Sequence, residues 1–383
     1  MAKKGNKKVI EASTAVALGV KLAEPSVIPM YPITPQTHQV ERLAEYINDG
    51  EMKCEMLHAE SEHAAISAAL GASAAGVRTF TATSSQGLAL MFEVLPIISG
   101  MRLPVVMAVS NRALSSPINI WNDHSDSMAC RDSGWIQLYV ESAQEALDTI
   151  LMAFRIAEDK KVLLPVMVCL DGFTLTHVFE PVDIPTPAQA KRFLPKFRHQ
   201  YTVLDPKKPA TLGPVGFPDT YMEFRKALSD TCIESQKVIN KVSREFKAKF
   251  NREYGNGLIE LYRMNGATHA ILAMGTVAGT ARAVIDDLRA RGKRVGLIKL
   301  RCYRPFPVED IRKAAKNLKG LAVIDRSVSY GYEGPLMTDI MAALRENKTA
   351  ITGFIAGLGG RDVTKEHLMQ AINSIGKNSD WLL

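Results

Sequence analysis

Three features of the 383-residue sequence predict an α/β chain with two units, each a doubly wound parallel sheet covered by helices. Short apolar runs alternate with stretches of helical periodicity, the pattern of strands joined by crossover helices. The alternation stops near residue 179 and resumes near residue 266, which divides the chain into a first unit at 1–178, a connector at 179–265 and a smaller unit at 266–383. A hydrophobic content of 46% in a chain of this length lets each unit bury its own core.

In the first unit, strands are expected at 27–31, 53–57, 78–82, 104–109, 136–140 and 163–170. The run Val27-Ile28-Pro29-Met30 ends in Tyr31-Pro32-Ile33-Thr34-Pro35, beyond which Val40, Leu43, Ala44 and Ile47 recur at helical spacing. Thr34 thus falls at an N-cap and Pro35 at the first helical position, where a missing N–H costs nothing. A helix start at a strand end offers backbone donors to a carboxylate or phosphate, although an ordinary capped helix explains the same spacing. The helix after His58 is small-sided, with Ala64, Ala65, Ala68, Ala69, Gly71 and Ala72, so another backbone can come close. Ser142 and Glu145 spell a capping box ahead of a helix at 146–157.

The connector opens with the proline-rich Glu180-Pro181-Val182-Asp183-Ile184-Pro185-Thr186-Pro187, read as irregular chain hugging the surface. It closes with a long charged helix at 220–254, whose Met222, Phe224, Leu228, Ile233, Val238, Val242, Phe246 and Phe250 suit docking on a domain or a neighbouring chain. The second unit follows as strand 270–274, helix 277–291, strand 295–300, helix 308–317, strand 321–324, helix 336–345 and strand 351–356. Gly275-Thr276-Val277-Ala278-Gly279 follows a strand but lacks the G-x-G-x-x-G of a dinucleotide fold.

A net charge of +7 gathers partly on Lys3, Lys4, Lys7 and Lys8 and on Lys237, Lys241, Arg244, Lys247, Lys249 and Arg252. No aromatic platform is interleaved with these cations, so they read as solvated or partner-facing surface and not as a nucleic-acid footprint. Five cysteines stand singly without a C-x-x-C pair, which excludes a local iron–sulfur or zinc-ribbon signature and a disulfide framework. No apolar stretch reaches the roughly 18 residues of a spanning helix, and no signal-type region follows Lys8. A cytoplasmic chain without a membrane partner is expected.

Several polar groups converge on the strand ends where ligands of open α/β sheets bind. His58-Ala59-Glu60-Ser61-Glu62-His63 crowds imidazoles and carboxylates at a strand-to-helix junction. Without H-E-x-x-H it reads as a cap and acidic first turn, or as a functional carboxylate, and no metal site is assigned. Thr83-Ser84-Ser85-Gln86-Gly87 closes the next strand, with Ser85 and Gln86 as candidate cofactor contacts. Arg112 follows a third strand and suits bidentate capture of a carboxylate. The loop Asn119-Ile120-Trp121-Asn122-Asp123-His124-Ser125-Asp126 either holds Arg112 in place or contributes Asp123 or His124 to catalysis.

Taken together, Tyr31 to Pro35, Ser61-Glu62, Thr83 to Gly87, Arg112-Ala113-Leu114, Trp121 to Asp126 and Asp171-Gly172-Phe173 resemble the alpha subunit of the 2-oxoacid:ferredoxin oxidoreductases, pyruvate synthases foremost. In the second unit, Gly275, Arg304-Pro305-Phe306-Pro307, Asp325-Arg326 and Gly357-Leu358-Gly359-Gly360-Arg361-Asp362 resemble its transketolase-C-terminal-like domain. The resemblance spans nearly the whole chain and implies a thiamine diphosphate enzyme in which this chain carries the pyrimidine-side domain. It places Glu62 against the cofactor's aminopyrimidine ring and gives Thr34 and Arg112 the substrate's carboxylate and keto group. It further implies coenzyme-A-dependent oxidative decarboxylation of a 2-oxoacid, reversible, with electrons passing to ferredoxin. Pyruvate is the expected substrate, with branched-chain, aryl or 2-oxoglutarate-type acids as alternatives. No Gly-Asp-Gly with a downstream Asn is present to bind magnesium and diphosphate. The resemblance assigns Mg2+ and [4Fe-4S] clusters to beta, gamma and delta partner subunits. A non-catalytic scaffold subunit is the other reading.

Overall fold

The computed structural model describes residues 6–199 and 201–383, so Lys3 and Lys4 of the basic tail lie outside the described residues. The first domain runs β1 (Asn6–Glu11), α1 (Ala12–Ala23), β2 (Val27–Met30), α2 (Thr37–Asn48), β3 (Glu55–His58), α3 (Glu62–Ala74), β4 (Phe80–Thr83), α4 (Ser85–Met91), α5 (Leu95–Gly100), β5 (Val106–Asn111), α6 (Ser125–Ala129), β6 (Ile136–Val140), α7 (Ala143–Ala157) and β7 (Val166–Asp171). Next come β8 (Phe179–Ile184), α8 (Pro187–Phe193) and α9 (Tyr221–Phe250). The remainder is β9 (Ile259–Tyr262), β10 (His269–Ala273), α10 (Val277–Ala290), β11 (Val295–Leu300), β12 (Cys302–Arg304), α11 (Val308–Ala315), β13 (Gly320–Asp325), α12 (Pro335–Ala343), β14 (Ala350–Ala356), α13 (Lys365–Asn373) and β15 (Asp380–Leu382).

Every residue of β4, β5, β6 and β7 is buried, as expected where helices cover both faces of a parallel sheet. These strands pair in the order β6-β7-β5-β4, and β2 and β3 form a two-stranded parallel pair beside β4. Val27 bridges Thr79, and the Thr81 hydroxyl donates to the Pro29 carbonyl at 2.8 Å. One face packs on α1 and α7 through residues such as Val16, Val20, Leu147 and Ile150. The other packs on α3, α4 and α5 through Ile66, Leu88 and Ile98, in a core continuous with Leu272, Ile298 and Leu336 of the second domain. The second sheet has the order β15-β14-β13-β10-β11-β9, with β9 antiparallel and the others parallel.

A crossing strand and a buried ion cluster tie the domains together. Directly after β11, the chain crosses to the first sheet as β12, antiparallel to β6, with Cys302 opposite Leu138. The Tyr139 N–H donates to the Arg301 carbonyl at 2.7 Å. Beneath this crossing, Glu145 of α7 receives Lys299 Nζ at 2.7 Å and Arg301 Nε at 2.5 Å, all three side chains being buried. Burial alone would raise the Glu145 carboxyl, but the two cations outweigh it and hold the group well below the ordinary carboxylate range.

Four expectations change. The proline-rich start of the connector is a strand, β8, paired antiparallel with β1. Pro181 is tolerated because a two-stranded ribbon leaves each strand an unpaired edge. Ser142 does accept from the Glu145 N–H at 3.1 Å, but the Glu145 carboxylate reaches the Glu141 N–H, and the cations, instead of closing a capping box. Helix α9 docks on this chain mainly through its C-terminal half, burying Val238, Val242 and Phe246, and through Leu228 and Cys232 further up, while Met222 stays 77% exposed and Phe224 and Ile233 are exposed too. Nor are all its cations a free basic face. Lys237 pairs with Glu234, Lys247 with Glu253, and Arg252 with Asp148 and Asp183. No helix among the described residues is long and apolar enough to cross a membrane.

Replacing Glu145 with Gln keeps its volume but leaves Arg301 buried without a counter-charge and Lys299 with only the more distant carboxylates of Glu141 at 3.4 Å and Glu260 at 3.6 Å. Denaturant unfolding should show a loss of about 3–5 kcal/mol at neutral pH. Because the folded-state pKa is depressed, this contribution is complete above about 4.5 and fades as pH falls below it, so variant and wild type should converge in acid.

Candidate active site

Four neighbouring parallel strands, β3, β2, β4 and β5, end on one rim, and each hands the chain to a polar loop there. After β2 comes residue 31–36, after β3 Ser61-Glu62, after β4 Ser84-Ser85-Gln86, and after β5 Arg112. The sequence-predicted residues Thr34, Glu62, Ser85, Gln86 and Arg112 therefore share one edge, through topology and not through proximity in sequence.

Thr34 is not an N-cap. Helix α2 begins at Thr37, and residues before it form a turn in which the Gln36 N–H donates to the Ile33 carbonyl at 2.7 Å across a cis Thr34–Pro35 peptide. The reason is Gln36, whose buried amide accepts from the Ile33 N–H at 3.3 Å and donates to the Ala82 carbonyl at 3.3 Å, pinning the turn to β4. Gln39 ties the helix to β5 through the Ser110 hydroxyl at 2.8 Å. Pro35 packs over Gly172, where an added Cβ would lie 2.8 Å from its ring and 2.4 Å from the Asn111 carbonyl. Thr34 is left exposed on the rim, its hydroxyl unused by the described residues.

Arg112 lies against it. Its Nη1 donates to the Thr34 carbonyl at 2.8 Å and its Nε to the Asn119 carbonyl at 3.2 Å. The residue is 8% exposed and pairs with no carboxylate among the described residues. Burial pushes its pKa down, and Asp126 pushes it back up. A buried guanidinium held by carbonyls keeps its charge and has capacity for an anion.

Glu62 opens α3 behind Ser61, which caps the helix by accepting from the Ala64 N–H at 3.1 Å. It is 7% exposed, yet no hydrogen bond or ion pair from the described residues reaches its carboxylate. Gly87 lies beneath it. A Cβ there would sit 2.6 Å from Glu62 Oε1 and 2.5 Å from Thr83 Oγ1, a buried hydroxyl that itself has no partner. The remaining members of the crowded hexapeptide disperse, with His58 and Glu60 exposed and His63 turned to Glu93 at 3.3 Å. Among the described residues, no group of three or more His, Cys, Asp or Glu is placed to hold a metal.

Ser85 is wholly buried, with its one hydroxyl proton shared between the Ala113 carbonyl at 2.7 Å and Gln86 Oε1 at 2.6 Å. Gln86 is half-buried, which leaves its amide nitrogen as the outward donor of this turn.

Asp126 was overlooked as a site residue, and only its place in a polar loop hinted at it. Its buried Oδ2 accepts from the N–H of Ser85 at 2.9 Å and of Arg112 at 3.0 Å, while Oδ1 accepts from Asn111 Nδ2 and the Ser127 N–H, each at 2.7 Å. Burial raises its carboxyl to about 6 against the pull of these donors. Asp123 reaches the second domain through its side chain and His124 through its N–H, which donates to the Arg326 carbonyl at 2.8 Å. Asp123 accepts from the Gly359 N–H at 3.2 Å and from Ser125. His124 Nε2 meets Asp171 Oδ1 at 2.8 Å, and the other oxygen of Asp171 receives Arg326 Nη1 at 2.8 Å and the Thr276 N–H at 2.9 Å. Burial would raise Asp171, but chiefly Arg326 and then His124 hold it far below the ordinary range. Asn119 closes the loop by donating to the Gly359 carbonyl at 3.0 Å.

Residues 18–244 match the family described as pyruvate flavodoxin/ferredoxin oxidoreductase, thiamine diphosphate-binding, and residues 267–368 match pyruvate:ferredoxin oxidoreductase core domain II. The chain is 52% identical to the pyruvate synthase subunit PorA of Methanocaldococcus jannaschii over 97% of its length and 96% of that protein's. Against the same subunit of Methanothermobacter thermautotrophicus the identity is 53%, covering 95% and 94%. The ketoisovalerate oxidoreductase subunit VorA of Pyrococcus abyssi is 42% identical, covering 94% and 90%. In fold, the chain is similar to 2-oxoglutarate:ferredoxin oxidoreductase from Magnetococcus marinus with 2-oxoglutarate, coenzyme A and succinyl-CoA bound. That match has TM-score 0.75 and 21% identity, and it takes in 96% of this chain and 65% of that one. A split-gene transketolase, an inactive beta4 tetramer, matches with TM-score 0.55 and 13% identity over 95% and 96%.

Gly87→Ala should displace the Glu62 carboxylate from its seat without adding charge or breaking the helix. With a shift of about 1 Å, turnover of the assembled enzyme should fall about a hundredfold, and overpacking against buried Thr83 should cost about 1–3 kcal/mol in denaturant unfolding.

Proposed function

We propose that this chain, which belongs to the pyruvate flavodoxin/ferredoxin oxidoreductase family, is the alpha subunit of a pyruvate synthase carrying the pyrimidine-side half of a thiamine diphosphate site. The reaction is the coenzyme-A-dependent oxidative decarboxylation of pyruvate to acetyl-CoA and CO2, and its reverse, with electrons passed to ferredoxin. The observation that carries this reading is Glu62, a nearly buried carboxylate with no partner among the described residues, on the same rim as Arg112 and Thr34. An unpaired carboxylate in such a place is costly unless a ligand completes it. Identity above 50% to pyruvate synthase subunits, against 42% to a ketoisovalerate enzyme's subunit, favours pyruvate over a branched-chain acid.

The residues present fit the pyrimidine end of the cofactor. Glu62 accepts a hydrogen bond from a ring nitrogen, and Gly87 beneath it leaves the carboxylate its room. Gln86 offers its amide nitrogen to the same side, and Ser85 shapes the turn that presents it. Bound thiamine diphosphate supplies the nucleophilic carbon for attack on the keto group and accepts the electron pair released with CO2. Arg112 holds the substrate carboxylate by charge-assisted hydrogen bonds, and the Thr34 hydroxyl orients the keto oxygen. Glu62, by bonding the ring, favours the protonation state in which the ring's amino group can take a proton.

Residues 1–178 form the pyrimidine-side domain, 179–265 the connector and 266–383 the transketolase-C-terminal-like domain in this reading. Magnesium, the diphosphate-binding half of the site and the [4Fe-4S] clusters belong to beta, gamma and delta subunits of a cytoplasmic complex, and coenzyme A is the co-substrate.

Glu62→Gln should remove 10²–10⁴ of turnover, by order of magnitude, with the complex still assembled. An assembled complex with undiminished turnover would make the chain a scaffold. Native complex purified on this chain and assayed with coenzyme A, a low-potential acceptor and a panel of 2-oxoacids should prefer pyruvate, and preference for a branched or aryl acid would reassign the substrate.

A further inference from the structure

We propose that Asp126 is a positioning residue that sets the cofactor-side turn at Ser85 and the substrate-side Arg112 as one unit. The proposal rests on the reading of the site given above. The two positions belong to different strand ends, after β4 and after β5, and their backbone N–H groups converge on a single oxygen, Asp126 Oδ2, at 2.9 and 3.0 Å. The second oxygen is held by Asn111 Nδ2 and the Ser127 N–H, so the carboxylate cannot rotate away. Ser85 adopts φ of 48°, a left-handed conformation that a side-chain-bearing residue keeps only when its surroundings enforce it. The bond from Asp126 to the Ser85 N–H supplies that enforcement, and the Ser85 hydroxyl returns to Ala113, the residue after Arg112, at 2.7 Å. A closed circuit thus runs from Asp126 to Ser85 to Ala113 and back through Arg112.

All four donors are N–H groups, so the site requires a carboxylate. Asparagine in this place must point its own NH2 at one of the two donor pairs, and a protonated acid must do the same with one O–H. Around Asp126 the titratable groups are Asp123 on its own loop, His124 on the same loop with its ring on Tyr139 and bonded to Asp171, Arg112 after β5, Cys130 after α6, Tyr139 on β6 and Cys169 on β7. Of these, the thiols and the phenol are pushed upward by burial and stay neutral through the acid range.

The test uses the assembled enzyme carrying Asp126→Asn, with thiamine diphosphate affinity and KM for the 2-oxoacid measured separately and Arg112→Lys as comparison. The expected result is that Asp126→Asn weakens both by tenfold or more, whereas Arg112→Lys raises KM and leaves cofactor affinity within twofold. If Asp126→Asn does not assemble, the wild-type enzyme decides. Cofactor affinity and 1/KM should then fall together below about pH 6, approaching tenfold per unit. A change in only one constant, or in neither, overturns the proposal. Loss of the underlying reading would show differently, as wild-type enzyme whose turnover does not depend on thiamine diphosphate at all.

Discussion

The carboxylate of Asp171 is the contact on which the geometry of the rim depends. It ends β7, is buried, and takes His124 on one oxygen and Thr276 with Arg326 on the other. One side of that arrangement belongs to the loop before α6 and the other to the second domain. Fixing His124 fixes Asp126 two residues later, and Asp126 in turn holds the backbone at Ser85 and Arg112. The second domain contributes no strand end to the rim, yet it sets the rim's shape by immobilising this loop. Gly275 explains why the approach is possible, since a Cβ there would lie 2.9 Å from Asp171 Oδ2.

The same logic applies on the far side of the sheet, where Glu145, Lys299 and Arg301 lie under the crossing from β11 to β12. Buried ion pairs give back much of their Coulomb energy as desolvation, so such a cluster adds less to net stability than its distances suggest. Its effect is on orientation. Three buried charges are satisfied in one arrangement of the domains, and a slip of β12 along β6 would leave them unpaired. The core shared by the two domains supplies the non-directional part of the association, and the ion pairs select its register.

Much of the fold was legible because parallel strands buried on both faces appear as continuous apolar runs, and β2, β4 to β7 and β10 to β14 stand where those runs lie, apart from the short crossing strand β12, while β3 is mostly exposed. What escaped detection has a common physical cause. β1 is largely exposed and β8 carries a proline, so neither shows burial in its composition, and their pairing is decided by segments about 170 positions apart meeting across the domain. The N-cap expected at Thr34 failed because a buried glutamine two residues on found an acceptor on β4, the Ala82 carbonyl, and no local spacing rule contains that partner. Likewise the capping box at Ser142 was half right, since Glu145 found two cations about 150 positions away in the chain.

The amino-acid sequence determined the two sheets, the helices between them and the identity of the rim residues Thr34, Glu62, Ser85, Gln86 and Arg112, because alternation and strand-end position are local properties. The tertiary structure decided which of these groups are free to act. Among the described residues Glu62 is left without a partner, Ser85 is consumed by internal hydrogen bonds, the Arg112 side chain is held by carbonyls and not by an acid, and Asp126 holds the backbone at Ser85 and Arg112. Whether a polar group is spent or available depends on which distant donors and acceptors burial brings beside it, and that is settled only when the sheets close against each other.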